Sequence, residues 1–78
     1  MSSGFFRLKI KNEESTYDTK IMEYPDIDGY FEAFEKATLN RGTFSMKLFS
    51  KAYICIPVEN IEYLFYIPEE FIKEENNE

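Results

Sequence analysis

Cys55 is the only cysteine in a chain of 78 residues, and histidine is absent altogether. These two facts remove both staples on which small domains commonly rely. One cysteine closes no intramolecular disulfide, and a structural zinc would lack its usual ligands. A chain this short buries only about 60–65% of the surface that its unfolded form exposes. Stability must then come from side-chain bulk. Eight Phe and six Tyr make up 18% of the sequence, and each ring removes roughly 150–250 Å² from water when buried. The expectation is a core rich in Phe and Tyr, or a surface that keeps some of those rings for a partner.

The same absences narrow the chemistry. Without histidine, Ser-His-Asp and Cys-His arrangements cannot form. Three glycines supply no phosphate-binding loop, and no serine has a lysine three positions on. Carboxylates are plentiful, yet so small a chain leaves little room for a substrate pocket of ~300–1,000 Å³. A non-catalytic protein with no cofactor is expected.

The net charge of −6 raises the possibility of a nucleic-acid mimic, so its distribution matters. Residues 1–68 carry ten acidic and eight basic groups, a net of −2, whereas residues 69–78 carry five glutamates against Lys73, a net of −4. Most of the imbalance sits in the tail, and a mimic of DNA phosphates would spread acid over its folded face. No stretch approaches the ~20 apolar residues of a membrane span, and the N-terminus lacks the layout of a signal peptide. A lone cysteine suits a reducing compartment, so a cytoplasmic location is expected. The Asn-, Lys-, Ile- and Glu-rich composition fits a low-GC bacterial or phage genome.

Along the chain, Gly4 to Lys11 alternates strictly, with Phe6, Leu8 and Ile10 on one face and Arg7, Lys9 and Lys11 on the other. After the polar run Asn12–Ser15, Thr16 to Tyr24 reads as a second strand with Tyr17, Thr19 and Ile21 on one side, completing a hairpin. Pro25-Asp26-Ile27-Asp28 signals a helix start with an aspartate as cap. Ile27, Tyr30, Phe31, Phe34 and Ala37 then follow at helical spacing. Arg41-Gly42 should end that helix, with the glycine in the left-handed cap. Thr43 to Leu48, Ala52 to Ile56 and Ile61 to Ile67 read as three more strands, and Pro68 followed by acids suits one further helical turn. The predicted fold is α+β, order β-β-α-β-β-β: an antiparallel sheet of about five strands on one helix, with a partly open barrel as the alternative. A single domain is expected over residues 1–73, followed by a flexible acidic tail over residues 74–78.

Three local signals bear on function. Asp26-Ile27-Asp28-Gly29 with Glu35 is similar to the middle and end of an EF-hand calcium loop, which would make Asp26, Asp28 and Glu35 metal ligands. It departs from that pattern where Tyr24 and Pro25 occupy the first positions. The competing reading is a helix N-terminus whose acids complement the dipole, with no metal bound. Phe5, Arg7, Lys9 and Lys11 form a basic strand carrying an aromatic, a pattern that holds single-stranded nucleic acid in some small barrels. The competing reading is an edge strand guarded by lysines. Cys55, between Ile54 and Ile56, reads as a small buried hydrophobe.

The last two strands are apolar on both faces. A half-buried strand alternates with polar residues, so two-sided apolarity means that both faces are covered. One helix covers one face. Tyrosine combines apolar area with a hydroxyl that tolerates water. Tyr53, Leu64 and Tyr66 are therefore the candidate interface with another protein, or with a second copy as a homodimer. The competing reading makes those rings internal core. The expected function is a small protein-binding module, an adaptor or an inhibitor or regulator occupying a surface of a larger protein. A single-stranded nucleic-acid binder and a self-assembling structural subunit are the alternatives.

Overall fold

In the computed structural model, which describes residues 3–71, β1 (Ser3–Ile10) is the organising strand. Along one edge it pairs antiparallel with two short strands, β2 (Thr16–Asp18) and β3 (Met22–Glu23). Along the other it pairs antiparallel with the eight-residue β6 (Ile61–Pro68). β4 (Thr43–Lys47) and β5 (Tyr53–Pro57) form a separate antiparallel hairpin. Helix α1 (Asp26–Asn40) lies between β3 and β4 in the chain, and a 3₁₀ turn over Val58–Asn60 joins β5 to β6. The fold is α+β, and the strands do not close into a barrel.

The core forms where the inner faces of the two sheets meet the helix. Phe6, Leu8, Ile27, Phe44 and Met46 are fully buried, with Ala37 and Ile61 beside them. The rings interlock edge to face. Phe6 meets Tyr30 at 5.3 Å and Phe31 at 5.2 Å, and Phe44 meets Phe34 at 5.3 Å. Such pairs add about 0.5–1.5 kcal/mol each beyond the area they bury. Among the described residues, no helix is long and apolar enough to cross a membrane.

Four local expectations are corrected. The second strand is split, because Thr19 stands between β2 and β3 with its side chain in the ladder. Its hydroxyl accepts from the Phe6 N–H at 3.0 Å, while its own N–H donates to the Phe6 carbonyl at 3.0 Å. Ile21, freed from strand pairing, is exposed. The helix begins without a side-chain cap: Pro25 precedes it, reached through a cis Tyr24–Pro25 peptide, and Asp26 and Asp28 lie in the first turn. At the other end Arg41, not Gly42, takes the left-handed conformation (φ 53°). Gly42 then donates to the Ala37 carbonyl at 2.8 Å and Arg41 to that of Thr38, the paired bonds of a Schellman cap. Finally, Cys55 points outward and is exposed, 3.2 Å from the Ser45 hydroxyl, because Ile54 and Ile56 take the inner side of β5. The C-terminal turn is present at residues 69–71. Ile72, Lys73 and the tail expected over residues 74–78 lie outside the described residues.

Candidate protein-binding face

The pairing of β1 with β6 decides which residues reach solvent. Phe6 stands opposite Tyr66 and Leu8 opposite Leu64, so Tyr66 and Leu64 share the inward face of Phe6 and Leu8. Both pack against the core, and the Tyr66 ring meets Phe6 at 5.4 Å and Phe31 at 5.9 Å. Tyr53 lies elsewhere, on the exposed side of β5 with the Lys47 ammonium 5.7 Å from its ring. The structure thus does not bring Tyr53, Leu64 and Tyr66 onto one surface. The parity of β6 is the reason: the two residues assigned outward belong to its inner face.

The outer face of this sheet is built from the other parity. Phe5 stands opposite Ile67, Arg7 opposite Phe65, and Lys9 opposite Tyr63. Tyr63 and Phe65 stack face to face, with centroids 4.3 Å apart and planes 14° from parallel. Phe65 remains 53% exposed. On the far side of β1, Ile21 and Phe49 flank Phe5 across an open depression that also borders Asp18 and Thr19. Phe49 is held there by its N–H, which donates to the Asp18 carbonyl at 2.9 Å, and its ring is 77% exposed.

Charges on this face are matched. Arg7 lies over the Phe5 ring, 5.4 Å from its centroid, and donates two hydrogen bonds to Asp18, each 2.9 Å. Lys9 donates to Glu62 at 3.0 Å. Glu62 reaches it because the β1–β6 register shifts between Lys9 and Ile10, a bulge that re-aims a side chain. Phe5, Arg7 and Lys9 therefore share one face as the sequence spacing implies. Lys11 lies beyond the strand in the turn, its N–H donating to the Asn60 carbonyl at 2.8 Å.

The calcium-loop residues are not gathered. Asp26, Asp28 and Glu35 all lie on α1. A rise of about 1.5 Å per residue leaves Asp28 and Glu35 roughly 10 Å apart along the axis, too far to share one ion. Among the described residues no group of three potential ligands is placed to hold a metal. A second concavity, of about 450 Å³, lies between the start of α1 and the β4–β5 hairpin, lined by Lys20, Asp26, Tyr30 and Lys47 among others. The Tyr30 hydroxyl there accepts from the Lys47 N–H at 3.2 Å.

Sequence reasoning identified Phe5, Arg7 and Lys9 but missed Tyr63, Phe65, Ile21 and Phe49 as members of the same surface. The Tyr63-x-Phe65 spacing was a readable signal for the first two, since residues two apart share a strand face. Nothing local marks Ile21 and Phe49, which arrive through the break at Thr19 and the turn after β4. Comparison with protein-family models, with curated proteins and with solved structures finds no match to this chain.

Proposed function

We infer that this chain is a small non-catalytic protein-binding module, an adaptor or regulator that engages a larger protein through the outer face of its four-stranded sheet β2/β3–β1–β6. The observation that carries the reading is the Tyr63–Phe65 stack, with Tyr63 half-buried and Phe65 exposed, set beside ion pairs that are already satisfied. Interface centres favour aromatic anchors and disfavour unpaired charge. Here Phe49 and Phe65 are exposed, while Arg7 and Lys9 are neutralised by Asp18 and Glu62. A second reading, single-stranded nucleic-acid binding, draws on the same cations beside stackable rings. It is weaker, because each cation would have to exchange its carboxylate for a phosphate, on a chain whose net charge is −6.

The test compares captured proteins from lysate for the wild type and for Phe49→Ser/Phe65→Ser, with Tyr53→Ser as control. A specific partner should be lost with the double variant and kept with the control, while all three remain folded by circular dichroism. A parallel titration with a labelled single-stranded oligonucleotide separates the alternative. Binding that falls steeply with salt and is abolished by Arg7→Ala would move the assignment to nucleic acid.

A further inference from the structure

The ladder on the two sides of β1 reveals which backbone groups β6 turns outward. Phe6 directs both its N–H and its C=O to Thr19, on the β2/β3 side. In antiparallel sheets the direction alternates residue by residue. Phe5, Arg7 and Lys9 therefore direct theirs to β6, as the Lys11 N–H does to Asn60. Their partners Ile67, Phe65 and Tyr63 exchange hydrogen bonds with β1. The intervening residues, Leu64 and Tyr66, then turn their N–H and C=O to the opposite edge. Among the described residues that edge pairs with no other strand.

Between the bulge at Glu62 and Pro68, this edge carries none of the usual guards. β6 is eight residues long and contains no lysine or arginine; its one charged residue, Glu62, sits in the bulge, and Pro68 ends the strand. Long apolar edges of this kind template pairing with another strand. The other unpaired strand edges among the described residues, on β2, β3, β4 and β5, are all shorter. Resting on the reading of this sheet as a protein-binding surface, we propose that its free β6 edge, beside the face that meets the larger protein, binds a second copy of this chain, paired antiparallel β6 to β6 about a two-fold axis at Phe65. Only this register uses the outward groups completely. Leu64 of each copy faces Tyr66 of the other, and the two pairs exchange four hydrogen bonds. An axis at Tyr66 would set Leu64 against Pro68, which has no N–H to give. An axis at Leu64 would set Tyr66 against Glu62 in the irregular stretch of the bulge.

Side chains and charge agree with that axis. On the outer face Phe65 meets its own symmetry mate in a non-hydrogen-bonded pair, where side chains approach most closely. Each is flanked by Tyr63 of its own chain, so four rings continue one stack across the junction. Glu62 falls opposite Pro68 and away from its own mate, and the nearest cations, Arg7 and Lys9, are matched within each chain. Two chains of net charge −6 thus meet at a locally neutral seam. Isologous two-fold contacts are the commonest form of self-association.

Sedimentation velocity from low micromolar to several hundred micromolar protein, with amide hydrogen exchange at both ends of that range, tests the proposal. The expected result is a concentration-dependent shift to the mass of two chains, with the Leu64 and Tyr66 amides slowing at least tenfold in the dimer. Phe65→Lys, which sets two ammonium groups against each other at the axis, should stay folded and monomeric. In a Cys55→Ser background, Phe65→Cys should oxidise to a covalent dimer, whereas Phe71→Cys should not, since only the former lies on the axis. A chain that remains monomeric with fast Leu64 and Tyr66 amides overturns the proposal. So does a monomer whose Leu64 and Tyr66 amides are protected, because the edge is then filled from within the chain. A dimer that leaves those amides fast overturns it too, while a foreign partner lost with Phe49→Ser/Phe65→Ser would leave the protein-binding reading standing.

Discussion

Gly4 and Tyr66 illustrate how one residue can dictate its neighbour. The Tyr66 ring folds diagonally over Gly4 on the inner face. A Cβ at Gly4 would collide with the Ile67 carbonyl and lie 2.7 Å from the Tyr66 hydroxyl. Backbone cannot yield as a flexible side chain can, so Gly4→Ala should destabilise the fold by about 1–3 kcal/mol, read as a lower urea midpoint at unchanged slope. The hydroxyl of Tyr66 is itself buried and, among the described residues, has no hydrogen-bond partner. An orphaned polar group costs free energy, so Tyr66→Phe should leave the melting temperature at pH 7 unchanged or higher. Burial raises the Tyr66 phenol above its ordinary value of 10.0, with the nearby charges of Tyr24 and Glu70 adding to the effect. The sign follows from linkage. The folded state favours the neutral phenol, so stability is fully present below pH 10 and is lost as pH climbs through the raised value. Tyr17 also has a raised value, chiefly through its hydrogen bond to Glu13, but it is present in both proteins. Urea midpoints measured from pH 8 to 11.5 should therefore fall less steeply for Tyr66→Phe than for the wild type. Identical slopes would place the phenol in water.

At the scale of elements, the helix offers a sharper contrast between positions that periodicity treats alike. Ile27, Phe31 and Phe34 lie on one predicted stripe, yet Ile27 is fully buried, Phe34 half-buried and Phe31 nearly half-exposed. Ile27→Ala should then cost about 2–5 kcal/mol, and Phe34→Ala less than the ~3–5 kcal/mol of a fully buried ring, by the extent that water already reaches it. The reverse order in thermal unfolding would contradict the packing. Arg41 holds a left-handed backbone that glycine adopts without strain, so Arg41→Gly should stabilise the protein by about 0.5–1 kcal/mol. The helix, β1 and β4 were legible because their apolar spacing admits one solution. Phe44 and Met46 could face inward only together, as could Phe6 and Leu8. The split at Thr19 was not legible: a threonine hydroxyl that replaces a ladder group looks, in sequence, like any strand threonine. Nor was the parity of β6. With Tyr63, Phe65 and Ile67 as apolar as Leu64 and Tyr66, only the register with β1 chooses between the faces. That ambiguity is why Leu64 and Tyr66, expected on the outer side of the strand, lie on its inner face.

For the molecule as a whole, the order of the chain separates two kinds of pairing. The β4–β5 hairpin joins residues close in sequence, with Lys47 opposite Tyr53. The β1–β6 ladder joins the two ends of the described chain, with Leu8 opposite Leu64. Closing a loop costs entropy that grows with the logarithm of its length. The about 56 residues between Leu8 and Leu64, against about six in the hairpin, amount to roughly 2 kcal/mol more for the long pairing. The hairpin also carries its own nucleus, because Phe44 and Met46 are fully buried and Phe44 meets Tyr30 and Phe34 of the preceding helix edge to face. Contacts that are local and apolar are the ones a transition state can assemble first. Docking of β6 onto β1 should follow, once the helix and hairpin present a surface to hold the N-terminal strand. Stopped-flow folding of Phe44→Leu and Leu64→Ala tests this order, in a dilution range that keeps the protein monomeric. The first substitution should chiefly slow folding, with a φ-value of about 0.5–0.8; the second should chiefly hasten unfolding, with a value near 0–0.3. If Leu64→Ala slows folding as much as its loss of stability demands, the terminal strands pair before the hairpin, and the closure entropy has been met by contacts already present in the unfolded chain.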